Sequence, residues 1–244
     1  MKTTTILKTL AFTFLSLTST SQAELITWST PTEAVNEEDI DTTGTLVHAG
    51  YWGDDNGTLS ITNTTETISF DYRGNEGNQD GSDSGSLAFM NTGFALDLNN
   101  PPNTDFFIST GTVGDADFDT MMSGSAVDGV GQTLLLSGLT IGNSYQVQLF
   151  ASDDRPVTGA RTQRYGDGLG NFSDTFAQNT SSYVIGTFTA DASGTQSILI
   201  EGVSNPGRQL LSGYVLRATA VPEPSSAALL GLGALTLALR RRRA

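Results

Sequence analysis

The sequence contains no cysteine and a single histidine, and each shortage excludes some chemistry. Without cysteine, a disulfide framework, a thiolate nucleophile and a cysteine-ligated metal are all impossible. His48 alone cannot build a multi-histidine metal site, and it makes hydrolysis by the usual serine triad improbable. The remaining candidates for chemistry are therefore carboxylates, arginines and aromatic rings.

Basic residues are also scarce, and half of them lie at the two ends of the chain. Lys2 and Lys8 stand near the start, and Arg240 to Arg243 close the sequence. Residues 24–220 hold six arginines against 25 acidic residues, a net charge of −19. Such a surface repels nucleic acid and anionic lipid, so no nucleic-acid partner is expected.

The body of the chain, residues 24–220, has the composition of an all-β protein. Glycine is frequent, at 27 residues in the whole chain, and only 16% of residues are charged. In TISFDYRG, apolar Ile68, Phe70 and Tyr72 alternate with polar residues, and SYQVQLFAS from Ser144 shows the same period of two. Comparable runs are TLSIT, FALDL, QTLLLSGL, SYVIGTFTA, TQSILIEG and GYVLRA. Because turn-forming residues separate these runs, we predict one antiparallel β-sandwich domain, most simply of jelly-roll type.

The N-terminal segment, MKTTTILKTLAFTFLSLTSTSQA, is typical of a secretory signal peptide. Lys2 and Lys8 lie near its start, an apolar stretch runs from Ile6 to Leu17, and small residues follow at Ser21 and Ala23. We therefore predict a signal helix over residues 1–23, with cleavage after Ala23.

The C-terminal segment, residues 221–244, combines a Pro-Glu-Pro hinge, an apolar run and an arginine cluster. Ser225 to Leu239 are fifteen uncharged residues, which as a helix span about 22 Å. A bilayer core is about 30 Å thick, so this short hydrophobic helix would hold the membrane weakly. The positive-inside rule keeps both basic ends in the cytoplasm and leaves the acidic body outside.

These three parts of the tail resemble the PEP-CTERM sorting domain of Gram-negative bacteria. The resemblance implies recognition of Pro222, Glu223 and Pro224 by a membrane-embedded exosortase, with Arg240, Arg241, Arg242 and Arg243 as the stop. It further implies transient inner-membrane anchoring, removal of the tail, and delivery by the secretion machinery to the outer surface or extracellular matrix. An ordinary single-pass anchor is the alternative.

The body carries a second, more generic resemblance. GLTIGNSYQVQLF, residues 138–150, is similar to the turn and strand of secreted fibronectin-like and galactose-binding-like sandwiches, in which the tyrosine packs over the turn. The closing half resembles the galactose-binding-like or malectin-like modules of other PEP-CTERM proteins. This resemblance implies a fold rather than a particular ligand.

Two segments contain candidate ligand-binding residues. The polar connection from Asp153 to Ser182 is predicted as a long functional loop, because structureless connections of that length are uncommon. Arginine offers a planar donor fork and tyrosine an apolar plate, groups that sugar recognition uses, and Trp52 could stack on a sugar ring. The candidates are Trp52, Asp153, Asp154, Arg155, Arg161, Arg164 and Tyr165. The alternatives are an inert loop with paired charges and a tryptophan packed in the core.

Calcium is the one cofactor that the sequence suggests. Asp115, Asp117 and Asp119 have the alternate spacing of an oxygen-ligand loop, and residues 78–83 form a second acidic, glycine-rich stretch. Neither stretch fits the EF-hand pattern, because position twelve of the first would be Ala126. Solvated acidic loops are the alternative to a metal site.

Two classes of function fit these observations. We favour a non-enzymatic protein of the cell surface or matrix whose sandwich binds polysaccharide or simply packs into the matrix. The alternative is a polysaccharide-active enzyme of the glycoside hydrolase kind, which needs only two positioned carboxylates.

Overall fold

The computed structural model describes residues 25–52, 57–73, 89–92, 114–127, 132–153, 161–204 and 209–219. The regular structure is mostly β, with 50% of residues in strands and 8% helical, which confirms the predicted all-β class. The strands are β1 Thr27–Trp28, β2 Thr32–Glu33, β3 Thr45–Tyr51, β4 Leu59–Thr62, β5 Thr67–Tyr72, β6 Phe89–Thr92, β7 Ala126–Val127, β8 Gln132–Ser137, β9 Ser144–Ala151, β10 Thr162–Gly166, β11 Phe176–Ala177, β12 Ser182–Thr189, β13 Thr195–Gly202, β14 Leu210–Leu211 and β15 Gly213–Thr219. A 3-10 turn, Glu37–Asp39, and one helix, α1 Ala116–Ser123, complete the described elements.

Two sheets make up most of the structure. The larger has eight strands in the order β1-β12-β9-β15-β3-β5-β4, with β2 also paired to β12. The smaller has five strands in the order β11-β10-β13-β8-β6, and β14 and β7 form a separate pair. The pairings are antiparallel except that of β3 with β5, which is parallel. This arrangement is consistent with a β-sandwich.

The principal core lies between the two sheets. Alternate residues of β9, Val147 and Leu149, meet Ile198 and Ile200 of β13 in one buried cluster. Burial of each such aliphatic side chain contributes about 1.5–3 kcal/mol relative to exposure. The alternation of residues that predicted β9 thus places its apolar side chains in the core.

A second core covers the other face of the larger sheet. Phe150 of β9 and Val215 of β15 point to this face and pack with Phe118, Met121 and Met122 of α1. The spacing of these three helical residues puts them on one side of the short helix. Both faces of the central strands are therefore buried.

The polar residues of β9 are buried by the segment that contains the 3-10 turn. Gln148 is 1% exposed; its amide nitrogen donates to Asp39 O at 2.7 Å, and its amide oxygen accepts from Asp41 N at 2.9 Å. A glutamine on a half-buried strand would ordinarily face water. Here it links the N-terminal segment to the sheet.

The chain enters and leaves the described body at the same end of the larger sheet. Thr219 of β15 and Thr189 of β12 both pair with Ser144, and Thr27 pairs with Thr187. We call this end, with Leu25, Ser144, Thr189 and Thr219, the terminal pole. The other end, where β3, β9 and β15 reach Tyr51, Ala151 and Gly213, is the opposite pole.

Two sequence predictions are corrected. The connection from Asp153 to Ser182 is not a single long loop, because β10 pairs with β13 and β11 inside it. Likewise Asp115 to Asp119 do not form a loop: Asp115 is the N-cap of α1, and the other two aspartates lie in its first turn. Both segments form regular secondary structure, despite their polar composition, because their apolar residues are buried in the core.

The terminal segments that we predict as a signal helix and a hydrophobic helix lie outside the described residues, as do Asn78, Asp80 and Asp83. In the part of the chain that the structure covers, no helix combines the length and the apolar character needed to cross a bilayer.

Candidate functional site

A buried polar network lies at the opposite pole, centred on Gln163 of β10. Its amide oxygen accepts from Leu210 N at 2.9 Å and from Gln178 Nε2 at 2.7 Å. Its amide nitrogen donates to Leu210 O at 3.0 Å and to the Tyr165 hydroxyl at 3.2 Å. Gln163 is completely buried, so each of these bonds replaces one that water would otherwise make. The network joins β10 to β14.

Asp153 and Arg161 form an ion pair directly beside this network. Asp153 follows β9 and is fully buried, with Oδ2 at 3.6 Å from Arg161 Nη1. Gln178 bridges the two, since its N–H donates to Arg161 O at 2.9 Å and its carbonyl accepts from Asp153 N at 2.8 Å. The Arg161 side chain keeps 20% of its surface exposed. A partly exposed guanidinium is thus fixed by a buried carboxylate.

Arg164 lies on the other face of β10, away from Arg161's partners. Its Nε donates to Glu201 at 2.6 Å, and its guanidinium stands 3.7 Å from the centre of the Phe172 ring. Neighbouring residues of a strand face opposite sides of the sheet, so the structure separates Arg164 from Tyr165. The sequence had grouped them.

The two candidate aromatic residues pack inside the body. Tyr165 is fully buried, with ring centres 5.5 Å from Phe176 and 6.5 Å from Trp28, and burial raises the pKa of its phenol. Trp52 is 3% exposed, and its ring centre lies 5.8 Å from that of Tyr214. Asp154 and Arg155 fall outside the described residues.

A hydrogen-bonded chain that the sequence did not predict passes through His48. Its Nε2 lies 3.1 Å from Asp71 Oδ2, and its Nδ1 lies 2.9 Å from the Tyr214 hydroxyl. The parallel pairing of β3 with β5 places Asp71 beside this strand. No local motif could reveal the arrangement, because the three residues come from three separate strands.

The aspartates predicted to bind calcium contact backbone N–H groups. Asp115 Oδ2 accepts from Thr62 N at 2.8 Å, and its Oδ1 accepts from Asp117 N at 2.8 Å. Asp117 Oδ2 accepts from Ser60 N at 2.8 Å. Ser60 and Thr62 lie on β4, the last strand of the larger sheet. The two carboxylates therefore cap the outward N–H groups of an edge strand, a position that would otherwise be open to another strand.

Asp119 also lies in the first turn of α1, where the helix dipole favours a negative charge. Among the described residues, no group of three or more histidine and acidic side chains is arranged to hold a metal ion.

Residues 220–243, which begin at the terminal pole directly after Thr219, match the PEP-CTERM protein-sorting motif. The chain carries a PEP-CTERM sorting signal. The signal indicates an exported protein that exosortase processes and that reaches the envelope of a Gram-negative bacterium. The residues that we predict for recognition and as the stop, Pro222 to Pro224 and Arg240 to Arg243, all lie within the matched range.

The PEP-CTERM match covers the tail, and comparisons for the body are less informative. No curated protein sequence is significantly similar to this chain. One solved structure with some likeness is Bacteroides uniformis beta-glucuronidase 2 covalently bound to cyclophellitol-6-carboxylate aziridine, with 11% identity and a TM-score of 0.43. The similarity covers 71% of this chain but only 18% of that one.

A shallow groove lies where the PEP-CTERM tail begins. Its volume is about 250 Å³. Hydroxyl-bearing residues line most of it: Thr27, Ser144, Thr187, Thr189 and Thr219. Leu25 and the stacked rings of Tyr145 and Phe188, whose centres are 5.7 Å apart, complete its lining.

Proposed function

We propose that the sorted body is a non-enzymatic polysaccharide-binding module of the cell surface or extracellular matrix, with a jelly-roll, galactose-binding-like fold. The observation that carries the binding proposal is the position of Arg161. Its guanidinium is partly exposed at the pole opposite the PEP-CTERM tail, and its partner Asp153 is completely buried. Thr219, from which the tail continues, lies at the other end of the larger sheet.

The chemistry at this pole suits a polyhydroxylated ligand. A guanidinium presents several donors in one plane and can bond two neighbouring hydroxyls or a carboxylate of a sugar. Gln178 N donates to Arg161 O, and the ion pair with buried Asp153 orients the guanidinium, so less side-chain freedom is lost on binding. Because the body is strongly negative, it repels an acidic polysaccharide, and a cationic donor at the binding site offsets part of that repulsion.

The binding proposal is tested by applying the processed protein to immobilised envelope polysaccharide and to a glycan array. We expect retention that Arg161→Gln removes and that Arg164→Gln preserves. The second variant is a control, because Arg164 is also a partly exposed arginine, 33% against 20% for Arg161, and lies three residues further along, on the other face of β10. Urea denaturation of both variants would check that they remain folded. Equal losses in the two variants, or no binding by the wild type, would contradict the proposal.

The same preparation tests the non-enzymatic assignment. Incubation with envelope polysaccharide should release no reducing sugar, and measurable release would favour the glycoside hydrolase alternative with its paired carboxylates. Mass measurement of the mature C-terminus, with and without exosortase, tests removal of the PEP-CTERM tail. An intact arginine cluster in both preparations would refute that removal.

A further inference from the structure

The terminal pole is the part of the body that must lie nearest to the membrane before processing. Thr219 ends β15, and residues 220–224 are the only residues between it and the uncharged run that starts at Ser225. Even fully extended, this connection reaches at most about 20 Å. The chain also enters at this pole, because Leu25 precedes β1 beside β12. The body is therefore held close to the bilayer by a defined end.

Two large apolar side chains project from that pole. Leu25 is 64% exposed and Ile141, in the turn between β8 and β9, is 63% exposed. The turn lies beside the groove, since Gly142 N donates to Ala190 O at 2.8 Å, one residue beyond Thr189. Single exposed apolar residues are common on proteins. Here two of the most exposed ones share the end from which the sorting tail leaves.

The charge of this pole also differs from that of the body as a whole. The groove is lined by hydroxyl, aromatic and aliphatic residues, with no charged side chain among its described lining. Acidic residues flank the groove along the chain: Glu24 precedes Leu25, and Asp191, which accepts a hydrogen bond from Ser193 N at 2.8 Å, follows Ala190. The uncharged groove can approach a lipid surface more closely than the acidic surface of the rest of the body.

We propose that the terminal pole is a membrane-contact surface that rests on the lipid interface until the PEP-CTERM tail is removed. Ile141 and Leu25 enter the interfacial region, and the hydroxyls of the groove remain hydrated at headgroup depth. This contact supplements an apolar span that, at about 22 Å as a helix, is short for a bilayer core of about 30 Å. The proposal uses the sorting signal but is independent of the polysaccharide proposal.

The absence of cysteine allows a direct test on the full chain. Ile141→Cys would be labelled with a polarity-sensitive fluorophore and the chain reconstituted in phosphatidylethanolamine–phosphatidylglycerol vesicles that lack exosortase. We expect a blue shift of the emission, and loss of emission when some of the lipids carry a quencher near the headgroup. Val203→Cys is the control, because Val203 is also apolar and 42% exposed but lies at the opposite pole, where its N–H donates to Thr162 O.

Each result of the quenching experiment either supports or overturns the membrane-contact proposal. Quenching at position 141 with an unquenched probe at position 203 supports the proposal. Water-like emission at position 141, or equal quenching at both positions, overturns it. Shielding of position 141 that appears only after exosortase is added would show that the pole binds the enzyme rather than lipid, and would also overturn it.

Discussion

Removal of the Asp115 carboxylate should destabilise the body measurably. One oxygen caps α1 by accepting from Asp117 N, and the other accepts from Thr62 N on the edge strand β4. Loss of an N-cap costs about 1 kcal/mol, and loss of a further hydrogen bond to a charged acceptor costs about another 1 kcal/mol at a partly exposed position. Asp115→Ala should therefore lower the free energy of unfolding by roughly 2 kcal/mol.

A graded series separates the two contributions. Asp115→Asn keeps a side-chain oxygen that can cap the helix but loses the second acceptor, so we expect about half the effect of alanine. Asp174→Asn should change little, because Asp174 is exposed and its side chain makes no hydrogen bond that the structure describes. Urea denaturation of the processed protein at neutral pH measures all three variants.

The same measurement distinguishes this structural role from calcium binding. If the carboxylates serve only β4 and α1, excess EDTA should leave the wild-type midpoint unchanged. An unchanged midpoint for Asp115→Ala would refute the capping argument. A midpoint that EDTA lowers in the wild type but not in Asp115→Asn would instead favour a calcium site.

Three further predictions concern stability. Burial raises the pKa of Asp41, but hydrogen bonds from Thr43 and Gln146 and the charge of Arg217 together leave the pKa below its ordinary value. Asp41→Asn should therefore reduce the urea midpoint at pH 7, and this deficit should shrink as the pH falls below about 4. Glu66→Gln should lower the free energy of unfolding in urea by about 3 kcal/mol, because it removes the carboxylate that pairs with Arg217, which is only 2% exposed. Adding Arg217→Met should restore the free energy of unfolding, because no buried charge is then left. Gly186→Ala should lower the melting temperature, because its Cβ would stand 2.6 Å from the β1 tryptophan ring; an unchanged value would contradict the fit of β1 against β12.

The strands that sequence patterns predict best are those with uninterrupted alternation. The segment TISFDY forms β5 and the segment SYQVQLFA forms β9, with bounds close to those that the alternation predicts. The predicted packing of Tyr145 over the preceding turn is also present, since its hydroxyl accepts from Thr140 N at 2.9 Å. In these segments, local alternation and the tertiary core require the same residues to be buried.

Strand β10 shows why the remainder was missed. TQRYG places a glutamine where an apolar residue would ordinarily mark the inward face. Gln163 can be buried there because Leu210, 47 positions later, satisfies its amide. A partner so distant in sequence leaves no local signal, and the same holds for Asp115 with Thr62. The sequence thus predicted residues of the candidate site, Asp153 and Arg161 among them, but not which of them meet.

The place of β15 in the larger sheet has a consequence for export. This strand is the last in the body, yet it lies between β9 and β3 in the interior of the sheet. A chain that emerges from a translocase N-terminus first cannot join those two strands until residues 213–219 have crossed. The sorting signal begins at the very next residue. The strand that completes the larger sheet and the signal that exosortase processes therefore reach the far side of the membrane in direct succession.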